Sequence, residues 1–311
     1  MSAHPEWRPE IEIGLDLAAR TVADQFPELA GQPVRAFDAG WDNVVLRIGS
    51  DWVFRFIHRG VAVPGAHRER AVLLALAGSL PLPIPHPRYL GRPTPEVPWP
   101  FWGARHLPGT ELAAARVPDD ARTALAVDLG RFLRELHSPD VAAGVAAVHP
   151  LPVDPMRRGD PAHVAARARG RLERLADAGA WEPDPRVAAL LETASHATPS
   201  GRPPVLVHGD LHTRHVLVDQ RDGVHRVTGV IDWGDVALAD PTVDLSVAFG
   251  VFQGEARTAF VEAYGPIDAE AELRARVLAV HINAALTEHA TAEGLEPLRT
   301  QALAGLSRAA R

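Results

Sequence analysis

The feature that most constrains the fold is a short polar loop between two runs of β-branched residues, in the stretch VLVHGDLHTRHVLVD from Val205 to Asp219. Such runs are typical of buried strands, so the stretch predicts a strand, a loop and a second strand. The loop contains three histidines and an aspartate. Three interpretations fit it: a metal site, the catalytic loop of a phosphoryl-transfer enzyme, or a polar turn that only joins two strands.

The composition restricts the possible classes. A chain of 311 residues can form one large domain or two lobes, each with its own core. The net charge of -7 argues against a nucleic-acid partner held by phosphate neutralisation. The absence of cysteine excludes disulfides, zinc–thiolate sites and cysteine nucleophiles. With no signal-peptide pattern and no apolar run of membrane-spanning length, we expect a cytoplasmic protein without a membrane partner, as a monomer or weak dimer.

The sequence also contains no lysine. Every basic role therefore falls to arginine or histidine. An enzyme class that depends on a lysine must either be rejected or be shown to work with arginine in its place.

The first part of the chain reads mainly as strands. Val44–Ile48 and Trp52–Ile57 are separated by a Gly-Ser-Asp turn, which predicts an antiparallel hairpin. A helix is expected over Ala66–Gly78, with Glu69 on its apolar face. Pro81–Trp102 is too rich in proline for a helix and predicts extended segments and turns.

Helices dominate the rest of the chain beyond the junction at Leu107–Leu112. They are predicted over Asp119–His137, about Asp160–Ala178, Pro185–Ala194 and several segments after Asp240, around a short β segment at Val205–Asp232. A small β-rich lobe, residues 1–105, followed by a helical lobe with an embedded hairpin, residues 106–311, predicts an α+β fold of the protein-kinase-like, two-lobe type.

The motifs of a kinase occur in the right order. Kinase catalytic loops read H-x-D-x-x-x-x-N, where the aspartate accepts the hydroxyl proton and the asparagine holds a metal ion. Here the loop is His208-Gly209-Asp210, and His215 stands where the asparagine is expected. The metal-binding D-F-G motif corresponds to Asp232-Trp233-Gly234, after the second strand of a hairpin.

The nucleotide-binding candidates lie in the first part. Arg55 occupies the strand position of the kinase lysine, and Glu69 is its expected helix partner; arginine keeps the charge and adds a bidentate fork. The residues Gly40, Asp42 and Asn43 are further candidates, at the place of the glycine-rich loop that covers the nucleotide in kinases. This loop has one glycine here where protein kinases have three. The last candidate is His106, in the expected hinge.

Each motif alone has a simpler explanation, because Asp210 and Asp232 could be turn residues and Arg55 could snorkel from a strand. The order of the motifs favours a kinase. A zinc site is disfavoured, because an extended loop should not bring its histidines and Asp210 together and no H-E-x-x-H helix is present. A hydrolase is disfavoured because G-x-S-x-G is absent. His212 is expected to pack beneath the loop, and Arg214 to be exposed.

The stretches HGDLHTRHVLVD and VTGVIDWGDVALADPTVDLSVAFG resemble the aminoglycoside/macrolide phosphotransferase superfamily, antibiotic kinases with a kinase-like fold. The likeness is strong over Val205–Phe249, and the histidine at position 215 is typical of the macrolide 2'-phosphotransferase branch. The resemblance implies these roles: Asp210 as catalytic base, His215 and Asp232 as Mg²⁺ ligands, Arg55 with Glu69 on the nucleotide phosphates, and Asp244 and His208 as supports of the catalytic loop.

The activity implied is transfer of the γ-phosphate of ATP or GTP to a hydroxyl of an antibiotic, a macrolide before an aminoglycoside. The partners would be the nucleotide and a small-molecule acceptor, which the resemblance places between the catalytic loop and the helices of Phe249–Leu306. Two alternatives remain: a metabolic kinase for a sugar, choline or an amino-acid hydroxyl, and a nucleotide-binding pseudokinase.

Overall fold

The computed structural model describes residues 9–39 and 42–311, which form two compact units. The first unit holds the described residues up to Ala77 together with Ile84–Leu107, and the second holds Gly78–Pro83 and Pro108–Arg311. The first unit thus ends at Leu107 rather than at residue 105. The segment Gly78–Pro83 belongs to the second unit, which the sequence did not indicate; the backbone carbonyl of Pro83 accepts a hydrogen bond of 3.0 Å from the amide of Val230.

The first unit is built on a five-stranded antiparallel sheet with the strand order β1-β2-β3-β5-β4. The strands are β1 Val34–Ala39, β2 Asn43–Ile48, β3 Trp52–Ile57, β4 Pro87–Gly91 and β5 Phe101–Arg105. The predicted hairpin is confirmed as β2 and β3, in a register that pairs Val44 with Phe56. The two strands β4 and β5 come from the proline-rich segment that was expected to be extended.

Stacked aromatic side chains lie at the centre of the core of this unit, among buried aliphatic residues. Phe54 and Phe56 are fully buried on the same face of β3, as the alternation of the strand requires, and Phe56 stacks on Phe101 with 4.6 Å between ring centroids. Two helices flank the strands: α1 Leu15–Gln25 and α2 Val63–Ala75. Helix α2 begins earlier than the expected Ala66, because Pro64 stands in its first turn, where proline is well tolerated.

The second unit is mainly helical. Its helices are α3 Leu112–Ala115, α4 Thr123–Leu136, α5 Pro139–Ala146, α6 Pro161–Asp177, α7 Pro185–Ser195, α8 Thr242–Val251, α9 Gly254–Tyr264, α10 Ala269–Glu293 and α11 Glu296–Ala309. Helix α8 is buried on all sides, which agrees with its nearly uniform apolar sequence. The long helix α10 packs against α6, α8 and α11 and is therefore the central helix of this unit.

Five short strands are embedded among these helices: β6 Thr110–Glu111, β7 Val205–Val207, β8 Val216–Arg221, β9 Val224–Val230 and β10 Ala237–Ala239. Strands β8 and β9 form a hairpin, while β7 pairs with β10 in a separate sheet. The catalytic loop predicted from the sequence joins β7 to β8, and the segment with Asp232 joins β9 to β10. The pairing of these strands therefore brings the two loops to neighbouring positions.

The predicted α+β class is confirmed, with a β-sheet unit first and a helical unit with an embedded hairpin second. Among the helices in residues 9–39 and 42–311, none is both long enough and apolar enough to cross a lipid bilayer.

Candidate active site

The predicted catalytic loop is held in place by the carboxylate of Asp244, which is fully buried on α8. Its Oδ2 accepts a hydrogen bond from the backbone amide of His208 at 2.8 Å, and its Oδ1 accepts one from the amide of Gly209 at 3.0 Å. His137 lies with Nε2 3.1 Å from the same Oδ2. Hydrogen bonds to both oxygens offset the cost of burying this carboxylate, and they hold two consecutive residues of the loop in place.

Position 209 accepts only glycine unless the surrounding backbone moves. Its φ of +91° lies in the region that glycine favours, and a Cβ there would stand 2.3 Å from the backbone oxygen of Asp235. The backbone thus explains the glycine between His208 and Asp210.

His208 ties the catalytic loop to the segment of Asp232. Its Nε2 lies 2.9 Å from the carbonyl oxygen of Ile231, and the amide of Asp210 donates to its Nδ1 at 3.3 Å. These two bonds assign the Nε2–H tautomer. The ring also packs on Trp233, with 4.8 Å between centroids, and Trp233 is itself fully buried. Trp233 therefore packs directly against the loop that carries Asp210.

The carboxylate of Asp210 is half-buried and has three cationic or potentially cationic neighbours. Arg158 Nη2 lies 3.1 Å from Oδ1, and His212 Nε2 and His215 Nδ1 lie 3.4 and 3.9 Å from Oδ2. Burial alone would raise the pKa of Asp210, but the interactions with His212, Arg158 and His215 outweigh it and hold the pKa well below its usual range. Asp210 is therefore ionised at every pH at which the protein is expected to work.

Arg158 was missed in the sequence. Its guanidinium contacts Asp210, lies with Nη1 2.9 Å from Asp235 Oδ2, and donates to the carbonyl of Gly209. Asp154 positions it by accepting hydrogen bonds from the amides of Arg158 at 2.7 Å and Gly159 at 2.9 Å. The segment is irregular, so no periodic pattern marks it; two adjacent arginines before Gly-Asp-Pro are the only signal in the sequence.

His215 faces the carboxylate of Asp232. Its Nδ1 lies 2.7 Å from the carbonyl oxygen of Asp210, which only a protonated Nδ1 can approach, so Nε2 carries the lone pair when the ring is neutral. Burial, followed by the neighbouring His212, lowers the pKa of His215, which favours the neutral ring. Nε2 is 3.4 Å from Asp232 Oδ2.

A neutral imidazole and a carboxylate that direct lone pairs at each other form a donor set that suits a divalent cation. Asp232 also has a φ of +63°, which is uncommon for a residue other than glycine and clusters at functional sites. These residues therefore fit the metal ion that the sequence motif implies.

His212 corrects two expectations. It does not pack beneath the loop but lies beside Asp210, with its ring 3.9 Å from that of His215 between centroids. The loop is not extended either: the amide of His215 donates to the carbonyl of His212 at 2.9 Å, and this turn brings ligand atoms of Asp210, His212 and His215 within 4.8 Å of one another. Arg214 is half-buried rather than exposed and pairs with Glu111 at 3.5 Å.

In the first unit, Arg55 on β3 and Glu69 on α2 form an ion pair of 2.9 Å between Nη1 and Oε1. Glu69 is 3% exposed, and the ion pair with Arg55 helps to offset the cost of burying its charge. Asn43 is also buried. With its amide oxygen toward Arg55, it accepts hydrogen bonds from Nε at 3.2 Å and Nη2 at 2.9 Å. Asn43 therefore helps to orient the guanidinium of Arg55, and its contact with a nucleotide stays a prediction.

The remaining nucleotide-binding candidates, Asp42 and His106, contact other side chains of the protein. The carboxylate of Asp42 pairs with Arg59 at 2.8 Å. His106 is half-buried, its ring meets Phe37 edge to face, and burial, followed by the charge of Arg47, lowers its pKa. Gly40 lies outside the described residues.

A cavity of about 260 Å³ opens beside Asp210 within the second unit. Its apolar wall includes Ile282 and Leu286 of α10, which lie in the region Phe249–Leu306 where the acceptor was expected. The acidic residues of α9–α11 do not line it: among the described residues, Asp210 is the only carboxylate on its surface. Most of the polar wall comes instead from α6 and the loop before it, which the sequence did not mark as a site, and His212 and His281 complete it.

The comparisons with known proteins identify the family. The model of the phosphotransferase enzyme family, APH, matches residues 33–277. Viomycin phosphotransferase from Streptomyces vinaceus is 32% identical over 225 residues, which cover 70% of this chain and 73% of the relative.

Two solved structures show the same fold. The macrolide 2'-phosphotransferase MphH from Brachybacterium faecium is 27% identical, with a TM-score of 0.61 over 94% of this chain and 98% of its own. A GDP complex of aminoglycoside 2'-phosphotransferase-IIIa is 21% identical, with a TM-score of 0.68 over 96% and 99%. From the family match, the viomycin relative and the geometry around Asp210, we conclude that this chain belongs to the APH phosphotransferase enzyme family.

Proposed function

We propose that the protein transfers the γ-phosphoryl group of ATP or GTP to a hydroxyl group of a small molecule. One observation carries the proposal: the ionised carboxylate of Asp210 lies next to His215, whose Nε2 faces Asp232 at 3.4 Å. A carboxylate that can accept the hydroxyl proton, beside two metal ligands, is what phosphoryl transfer requires, because positioning and charge stabilisation do most of the catalysis.

In this mechanism Asp210 accepts a hydrogen bond from the acceptor hydroxyl and directs its oxygen at the phosphorus. The low pKa of Asp210 makes it a weak base, so the proton passes to its carboxylate late, as the bond to phosphorus forms. Asp232 and His215 would hold Mg²⁺, which when bound neutralises charge on the donor phosphates. Arg55, kept in place by Glu69 and Asn43, would contact those phosphates.

Between the two antibiotic classes, we rank a macrolide before an aminoglycoside. His215 at the metal position supports this ranking, and so does the charge of the cavity beside Asp210. Three arginines and three histidines line that cavity with a single carboxylate, which disfavours an acceptor that carries several positive charges.

A metabolic kinase is the second candidate. It is favoured by the size of the cavity, about 260 Å³, which is below the roughly 300–1,000 Å³ of pockets that enclose drug-sized ligands. A small metabolite suits this volume better than a whole macrolide does.

The test uses purified protein with Mg²⁺ and either ATP or GTP, and a panel of macrolides, aminoglycosides and small metabolic alcohols. Phosphorylated acceptor is detected by mass spectrometry. Asp210→Asn serves as the control, and we expect it to lower kcat by about 10²–10⁴-fold while nucleotide affinity stays close to that of the wild type. Tight nucleotide binding without transfer to any acceptor would instead identify a pseudokinase.

A further inference from the structure

One face of α6 carries a row of basic side chains along the wall of the cavity. His163, Arg167 and Arg171 are spaced four residues apart, and all three line the cavity. This spacing keeps side chains on one face of a helix, and it extends the row over about 12 Å along the axis. Arg158, which contacts Asp210, lies at the near end of the chain segment that leads into α6.

The positive charge of this row is only partly compensated. Arg158 is balanced by Asp210 and Asp235. Arg171 and Arg174 share one carboxylate, that of Glu288.

Arg167 is exposed and forms no ion pair or hydrogen bond within the part of the chain that the structure describes. The α6 side of the cavity therefore has more positive than negative charge.

The positive charge of α6 also affects a residue on the part of the cavity wall that α10 provides. His281 on α10 lines the cavity, and burial, followed by the charges of Arg171, Arg167 and Arg158, lowers its pKa to about 3. A neutral imidazole at this place adds hydrogen-bonding capacity without adding charge. Ile282 and Leu286, from the same helix, supply the apolar part of the wall.

We propose that this cavity binds an anionic group of the acceptor, so that the substrate is a hydroxyl-bearing small molecule with a carboxylate or phosphate substituent. The inference rests on the proposed function, in which Asp210 takes the hydroxyl, and it specifies the metabolic candidate. Arginine suits such a ligand, because its planar fork binds carboxylate and phosphate oxygens in pairs. The anionic end of the acceptor lies against Arg167 and Arg171, and its hydroxyl lies at Asp210.

The phosphoryl group in transfer does not by itself account for this row. A row of about 12 Å is much longer than a single phosphoryl group, so its far members cannot all contact the group in transfer. Arg158, next to Asp210, is close enough to serve the reaction centre, whereas Arg167 and Arg171 follow along the helix into the cavity. Arg167 is therefore the residue at which binding of the acceptor can be changed without touching Asp210.

The test measures binding by calorimetry with a non-hydrolysable ATP analogue and Mg²⁺ present, so that the donor site is filled. The probes share a polyhydroxyl frame and differ in charge: glucose is neutral, gluconate carries a carboxylate, and glucose 6-phosphate carries a phosphate. We expect gluconate or glucose 6-phosphate to bind at least tenfold more tightly than glucose. The anionic probe that binds better identifies which of the two substituents the cavity accepts.

Arg167→Glu should weaken the anionic probe at least tenfold and leave the affinity for the ATP analogue unchanged, and Arg167→Gln should have a smaller effect in the same direction. Arg169→Ala is the matched control, since Arg169 is on the same helix but pairs with Glu192 and does not line the cavity. Thermal unfolding verifies that each variant is folded.

Two results would overturn the inference. In the first, the wild type binds the anionic probes no more tightly than glucose, or binds no probe at millimolar concentration. In the second, Arg167→Glu binds the anionic probes as tightly as the wild type does. Phosphoryl transfer from ATP or GTP is measured separately on the same probes and the antibiotic panel. Anion binding that depends on Arg167, without transfer to any hydroxyl compound, supports the ligand class and contradicts the kinase function. Transfer to neutral or cationic acceptors alone supports the kinase function and contradicts the ligand class.

Discussion

Arg158 and Asp210 form an ion pair at the centre of the candidate active site, with 3.1 Å between Nη2 and Oδ1. The same guanidinium contacts Asp235, which follows the segment of Asp232. Arg158 therefore connects three irregular segments of the second unit through one planar group. Because Arg158 contacts Oδ1, the other carboxylate oxygen of Asp210, Oδ2, faces His212 and His215. The proposed reaction takes place on that side.

Replacing Arg158 by Gln should change the pH dependence of the reaction. Arg158 is one of the groups that lower the pKa of Asp210, so its loss raises that pKa and moves the acidic limb of the kcat profile to higher pH. Loss of positioning should also lower kcat by about 10–100-fold at neutral pH. Steady-state rates from pH 4 to 8 test this. Arg157→Gln is the control, because Arg157 is exposed and pairs with Asp160, and a profile that shifts equally in both variants would contradict the assignment.

The ion pair of Arg55 and Glu69 makes a prediction for the first unit. Arg55→Ala removes the proposed phosphate contact and the ion pair with the buried carboxylate of Glu69, so it should raise the nucleotide KM at least about tenfold and also lower the Tm. Arg55→Lys restores the charge and should recover part of both. Nucleotide and acceptor KM values are measured for each variant. An acceptor KM that rises as much as the nucleotide KM would exclude a specific role in nucleotide binding.

His215 should decide how much Mg²⁺ the enzyme needs. We expect His215→Ala to raise the half-maximal Mg²⁺ concentration at least about tenfold, whereas His215→Asn, with an oxygen ligand, stays active. Because burial lowers the pKa of His215, its ring remains neutral below the ordinary value near 6.5, and the wild-type Mg²⁺ requirement should stay constant from pH 7.5 to 6. An unchanged requirement in His215→Ala would remove the metal role from this residue.

His281 predicts a pH dependence of stability. Its folded pKa of about 3 lies below the unfolded value near 6.5, so between these values the unfolded chain binds the extra proton. The free energy of unfolding therefore falls as the pH drops from 6.5 towards 3, by up to about 1.4 kcal/mol per pH unit from this one group. Urea titrations at pH 7 and 5 should show a smaller loss for His281→Leu than for the wild type. His196→Gln, an exposed histidine, should behave like the wild type.

Local patterns in the sequence were enough to predict much of the fold. The hairpin β2–β3 follows from alternating apolar residues around a glycine turn, and the position of Glu69 follows from helical periodicity. The excursion of Gly78–Pro83 into the second unit depends on a backbone contact between Pro83 and Val230, which are far apart in the chain. No local pattern encodes such a contact.

The site was predicted less completely, for a related reason. The motif around Asp210 has fixed spacing, so its aspartate and the histidine that follows could be found by counting. Arg158 reaches that site only because Asp154 folds an irregular segment, in which Asp154 and Arg157 both have positive φ. The turn that brings His212 beside His215 is likewise a backbone feature that propensities do not reveal.

The buried carboxylate of Asp244 has a consequence for the dynamics of the catalytic loop. The amide protons of His208 and Gly209 are bonded to an acceptor that is fully enclosed, so solvent reaches them only when α8 itself separates from the loop. In hydrogen–deuterium exchange these two amides should therefore be among the most slowly exchanging sites outside regular secondary structure. The segment that we propose performs the chemistry would then belong to one of the most stable cooperative units of the protein and not to a mobile surface loop.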